Sequence, residues 1–180
     1  FNGNKAADAI LGGWGLNFNM ATRSGLPITV RGQDRTGQAV RGNVRANAYR
    51  PLVVNESARN VDNWFGLPTD TAARQAFFCL TPGFNNGQCA YGNPADGSFG
   101  SAGIGTERGP SFFNLDLAIG KRFNVTERQF LEFRAEFFNA LNHVSFAPPG
   151  ANLTALASFG QIGAQVQSPR NIQFGLKYFF

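Results

Sequence analysis

Residues 171–180 read NIQFGLKYFF. Taken two at a time, Ile172, Phe174, Leu176, Tyr178 and Phe180 fall on one side of an extended chain. Asn171, Gln173, Gly175, Lys177 and Phe179 fall on the other. Alternation with a period of two is the signature of a β-strand with one apolar face and one wet face.

Three more segments carry the same pattern. In WGLNFNMATRS, Trp14, Leu16, Phe18 and Met20 oppose Gly15, Asn17, Asn19, Ala21 and Arg23. In FNLDLAIGKRF, Phe113, Leu115, Leu117, Ile119 and Phe123 oppose Asn114, Asp116, Ala118, Gly120 and Arg122. In QFLEFRAEFFN, Leu131, Phe133, Ala135 and Phe137 oppose Glu132, Arg134 and Glu136. The last of these also fits a helix, but at 100° per residue its aromatic residues spread around the cylinder, whereas at 180° they part cleanly from the charges. The expected strands span about residues 13–24, 112–123, 129–139 and 170–180.

These runs exceed the ~5–6 residues usual for strands of water-soluble domains. They match the ~9–11 residues a tilted strand needs to cross a bilayer. Composition agrees with a two-faced wall: 19 Phe and 22 Gly among 180 residues, only 15% charged residues, and a slightly negative mean hydropathy. No stretch approaches the ~20 apolar residues of a spanning helix.

The connections give the wall a direction. A short turn, NVTER, joins the second and third segments, while long Gly-, Pro- and Asn-rich stretches join the others. Outer-membrane barrels have short periplasmic turns and long external loops. With the last strand running toward the periplasm, the short turn is periplasmic and both long connections are external, the larger over about residues 31–110. Trp14, Phe123, Phe130, Tyr178 and Phe180 then mark one interface, and Phe112, Phe113, Phe137 and Phe138 the other. The fold expected is all-β: an antiparallel meander of about four long strands in a transmembrane barrel, with residues 1–180 forming one partial barrel domain.

Charges on the inner face, Asp116, Glu132, Arg134 and Glu136, are expected to face a wet lumen, with Asp116 beside Glu136 and diagonal to Arg134. On a lipid face a midplane Arg or Lys costs about 2–4 kcal/mol. Lys121 breaks the apolar pattern and is expected to snorkel toward the interface. Cys79 and Cys89, in FCLTPGFNNGQCAYG, suit a disulfide in an oxidising compartment; two free thiols are the alternative.

Catalytic signals are lacking. His143 is the single histidine, so neither a His-based triad nor a multi-His metal site is expected, and no enzyme activity, cofactor or metal is implied. The stretch GSFGSAGIGTERGP, residues 97–110, lacks the strand–helix context of a phosphate loop and reads as a flexible loop tip. The net charge is +5, and Arg31, Arg35, Arg41, Arg45 and Arg50 form the only dense basic group. With no nucleic-acid-binding pattern beside it, the group reads as a solvated loop.

The sequences GGWGLNFNMATRSGLPITV, ERGPSFFNLDLAIGKRFNVTERQFLEFRAEFFNALNHVSF and SFGQIGAQVQSPRNIQFGLKYFF resemble the C-terminal end of TonB-dependent outer-membrane receptors of the Oar-like group. The resemblance implies a 22-stranded barrel of which this chain forms the last four strands. It also implies a plug domain and the remaining strands elsewhere in the same protein, an N-terminal TonB box reaching the TonB complex, and gated uptake of a ligand that the sequence does not identify. Phe174, Leu176, Tyr178 and Phe180 resemble the terminal signal read by the barrel-assembly machinery. A secreted β-sandwich that binds sugar through Tyr49, Trp64 and Tyr91 is the alternative. It requires a second sheet to cover the apolar rows.

Overall fold

The computed structural model describes residues 10–37, 44–52 and 55–180. In chain order the strands are β1 (Trp14–Arg23), β2 (Pro27–Ile28), β3 (Arg31–Gly32), β4 (Val44–Arg45), β5 (Asn47–Ala48), β6 (Phe78–Cys79), β7 (Tyr91–Gly92), β8 (Glu107–Arg108), β9 (Phe112–Asn124), β10 (Phe130–Phe138) and β11 (Asn171–Phe179). A short helix, α1 (Thr71–Ala76), precedes β6, with Asp70 as its N-cap accepting from the Ala73 N–H at 2.7 Å. The chain divides into two compact units.

The first unit is a sheet in the order β1-β9-β10-β11, every neighbouring pair antiparallel. Its strands are 10, 13, 9 and 9 residues long. The register puts Leu16 opposite Ile119, Ile119 opposite Ala135 and Ala135 opposite Phe174. Each alternating apolar row therefore meets the next on a single face. That face is open: Phe18 is 71% exposed, Phe174 72% and Leu176 66%. Each such side chain stabilises by about 1.5–3 kcal/mol once removed from water, so the face is built for an apolar medium.

Lys121 lies in this face yet is only 4% exposed. It does not snorkel. Its Nζ donates to the carbonyls of Ile10 at 2.9 Å and Gly12 at 2.7 Å, between the rings of Trp14 and Phe123. The Trp14 indole N–H donates to the same Ile10 carbonyl at 2.9 Å. The segment leading into β1 thus supplies the acceptors that a buried ammonium needs.

The aromatic ends divide between the faces. Phe112, Phe130 and Phe138 share the polar face by register, so they do not complete an outward ring. Arg23 lies 4.8 Å from the Phe112 ring centre and Arg122 lies 3.6 Å from that of Phe130, which also stacks on Phe179 at 4.3 Å.

The second unit comprises Ser24–Ser111 and Phe146–Gln165. The two long connections are not loose polar loops: they share one core. Val30, Ala46, Leu52, Phe65, Leu67, Phe78, Ala90, Tyr91 and Ala102 come from the first, and Leu153 and Phe159 from the second. The Phe159 ring packs 5.5 Å from Phe65 and 4.7 Å from Phe78. Cys79 and Cys89 are disulfide-bonded, with Cα atoms 5.7 Å apart. Closing so short a loop stabilises the unit by about 3 kcal/mol.

The Gly-rich stretch at residues 97–110 is tied into the second unit at Gly100 and Ala102 rather than forming a free loop tip, although Phe99 and Ile104 stay exposed. Ala102 is fully buried and its N–H donates to the Ala46 carbonyl at 2.9 Å. A Cβ on Gly100 would stand 1.9 Å from the Arg45 carbonyl oxygen, so that position has no room for a side chain. Close backbone approach, not mobility, is what this glycine provides.

Candidate functional site

The polar face of the sheet is the candidate site. Its residues come from the alternate positions of all four long strands, so backbone pleating alone delivers them there. One cross-strand row reads Gly15, Gly120, Arg134, Gly175. The next reads Asn17, Ala118, Glu136, Gln173. On the other side of Arg134, Glu132 stands opposite Arg122 on β9 and Lys177 on β11. The small residues leave Arg134 and Glu136 standing clear, and their side chains pair at 2.8 Å. A shallow depression of ≈520 Å³ runs beside them, lined in part by Gly15, Asn17, Gly120 and Glu132.

The register corrects one detail of the expected charge set. Glu136 faces Ala118, not Asp116, which sits one row further along. Asp116 lies opposite Asn19 and accepts from the Asn139 backbone N–H at 2.9 Å. It is also too far along β9 to be diagonal to Arg134, whose partner there is Gly120. All four charges, Asp116, Glu132, Arg134 and Glu136, share the polar face.

Asn139 was not singled out by its sequence, yet it organises the rim. It follows β10 with φ of 49° and is only 4% exposed. Its Nδ2 donates to the carbonyls of His143 at 2.9 Å and Ser168 at 3.1 Å, and its Oδ1 accepts from the His143 N–H at 2.9 Å. The signal was there: Asn is among the few residues that adopt positive φ readily. The His143 ring sits edge-on to Phe113 at 5.6 Å, while its backbone N–H and carbonyl are both held by the Asn139 side chain.

Among the described residues no cluster of three or more His, Cys, Asp or Glu side chains could hold a metal ion. In the second unit, Arg35 pairs with Asp96, which holds that carboxyl below its usual range. Arg31 and Arg45 face each other across β3 and β4, while Arg41 lies outside the described residues. Tyr91 is 2% exposed and its hydroxyl donates to Glu107 at 2.7 Å, so it is not available to a sugar. The Trp64 indole donates to the Arg108 carbonyl, and the Arg59 guanidinium lies 5.5 Å from its ring centre.

Residues 1–173 match the family model of an outer membrane beta barrel domain. The chain belongs to that family. No curated protein and no solved structure matches it. As an outer membrane beta barrel domain it resides in the bacterial outer membrane. A sheet with one uncovered apolar face and one charged face suits such a barrel. This overturns the alternative of a secreted sandwich: besides the four-stranded sheet, the described residues form only two- and three-stranded sheets.

Proposed function

We propose that this outer membrane beta barrel domain contributes wall strands and an extracellular unit to a TonB-dependent receptor that takes up a ligand by gated passage, without chemistry in this chain. The observation that carries the reading is the sheet itself. It is apolar on one face and charged on the other, and among the described residues β1 and β11 both end it as unpaired edges. Unpaired edges are untenable in lipid, so further strands of the same protein close the wall. The resemblance at residues 12–30, 107–146 and 158–180 supports a 22-stranded barrel with a plug within it. The small-residue rows around Arg134 leave room for such a plug. The disulfide-closed, cored second unit suits an extracellular position. The C-terminal Phe174, Leu176, Tyr178 and Phe180 then serve as the assembly signal.

The test uses the full-length protein in its native host. Accumulation of the transported compound should disappear both in a strain lacking this protein and in one lacking TonB, while the protein stays in the outer-membrane fraction. Uptake that persists without TonB would refute the receptor reading and leave the barrel intact.

A further inference from the structure

Arg31 and Arg45 of the dense arginine group meet the Gly-rich stretch in the second unit, and the wall employs neither. Arg31 and Arg45 are direct partners in the antiparallel pair β3–β4, so both side chains leave the same face. Like charges directly opposite each other destabilise a strand pair. Yet among the described residues neither has a carboxylate within ion-pair distance: the pairs found are Arg35–Asp96 and Arg134–Glu136.

The segment carrying Phe99 and Ile104 runs alongside. It is fixed by Ala102 N–H to the Ala46 carbonyl at 2.9 Å, Ser101 N–H to Asn47 Oδ1 at 3.1 Å and Gly105 N–H to Thr29 Oγ1 at 2.9 Å. The Arg45 guanidinium is oriented in turn, donating through Nη1 to the Ala102 carbonyl at 2.8 Å. Phe99 is 62% exposed and Ile104 83% exposed. Together with Thr29 and Val44 these residues line an open pocket of ≈380 Å³.

We infer that this pocket binds an amphiphilic oxyanion, a carboxylate or phosphate borne on a compact apolar body. The headgroup lies between Arg31 and Arg45 and the body lies on Phe99 and Ile104. Guanidinium forks match the geometry of such headgroups and hold them by charge-assisted hydrogen bonds. An anion there also removes the Arg31–Arg45 repulsion. The flanking apolar side chains lose water when the body docks, which selects against bare inorganic ions. This site is independent of the uptake reading, because binding is read at equilibrium.

The experiment titrates the full-length protein in neutral maltoside micelles with phenyl phosphate and with benzyl alcohol, by calorimetry. Phenyl phosphate should bind, and benzyl alcohol about tenfold or more weaker. Arg31→Gln should weaken phenyl phosphate about tenfold and leave benzyl alcohol unchanged. Arg31 is exposed and its side chain makes no hydrogen bond among the described residues, so this variant is expected to keep the unit folded. Arg31→Lys should recover part of the loss. Equal binding of the two probes, or an Arg31→Gln variant that binds phenyl phosphate as the parent does, overturns the site. Repeating the titration in nanodiscs with and without lipopolysaccharide separates the sources. Weakening by lipopolysaccharide assigns the headgroup to lipid, and unchanged binding assigns it to a free solute.

Discussion

At the scale of single residues, Lys121 shows how one side chain can contradict a pattern without breaking it. Alternation marks it as an intruder on an apolar face, and the register keeps it there. Two backbone carbonyls, from Ile10 and Gly12, satisfy its ammonium. Replacing Lys121 with Met removes the donor and leaves the Gly12 carbonyl unpaired, whereas Ile10 keeps Trp14 as a partner. The expected cost is about 1–3 kcal/mol, read as a lower urea midpoint for protein refolded in micelles. Trp14 emission should shift in the same variant, because its ring packs against the ammonium. An unaltered midpoint would mean that these carbonyls do not hold the lysine. Nothing in residues 10–12 as a sequence announces this role. Carbonyls carry no side-chain signature, so the partner of Lys121 was legible only from the fold.

At the scale of elements, the four long strands were legible because alternation is a local property. Each strand's face is set by its own pleat, whatever its neighbours do. What the pattern left open was register, and a shift of two residues moves Asp116 away from Glu136 without flipping any side chain. The turn after β10 contributes to fixing register. Asn139 ties β10 to the segment entering β11 through Ser168, and Asn142 Oδ1 accepts from the Arg170 N–H at 3.0 Å. Asn139→Ala should cost about 2–4 kcal/mol, from strain at positive φ and from partners left unpaired. Asn139→Gly removes the strain alone and should recover about 1 kcal/mol of that. Urea midpoints of the two variants check the order; equal values would show that backbone conformation has no part in the effect.

At the scale of the whole molecule, the second unit departs most from the sequence reading. Its 24–111 and 146–165 segments look like polar loops because their apolar residues are sparse and show no period. Three-dimensional closure collects them into one core. Tyr91 reports on that core. Burial above all raises its phenol to about 12; the Thr106 hydrogen bond opposes this and Glu107 adds to it. The folded value lies above the ordinary one near 10. Stability from this group is therefore complete below about pH 10 and is lost as pH climbs toward about 12. Urea unfolding followed across that window should show the second unit weakening, with a flatter slope in Tyr91→Phe; an identical slope would remove Tyr91 as the cause. The sequence by itself determined that this protein is a two-faced antiparallel wall, because hydrophobic alternation obeys the pleat of each strand alone. Only the tertiary structure decided which charges stand opposite one another, what accepts the Lys121 hydrogen bonds, and that distant loop segments share a core. Those features depend on contacts between residues far apart in the chain, and no local pattern encodes them.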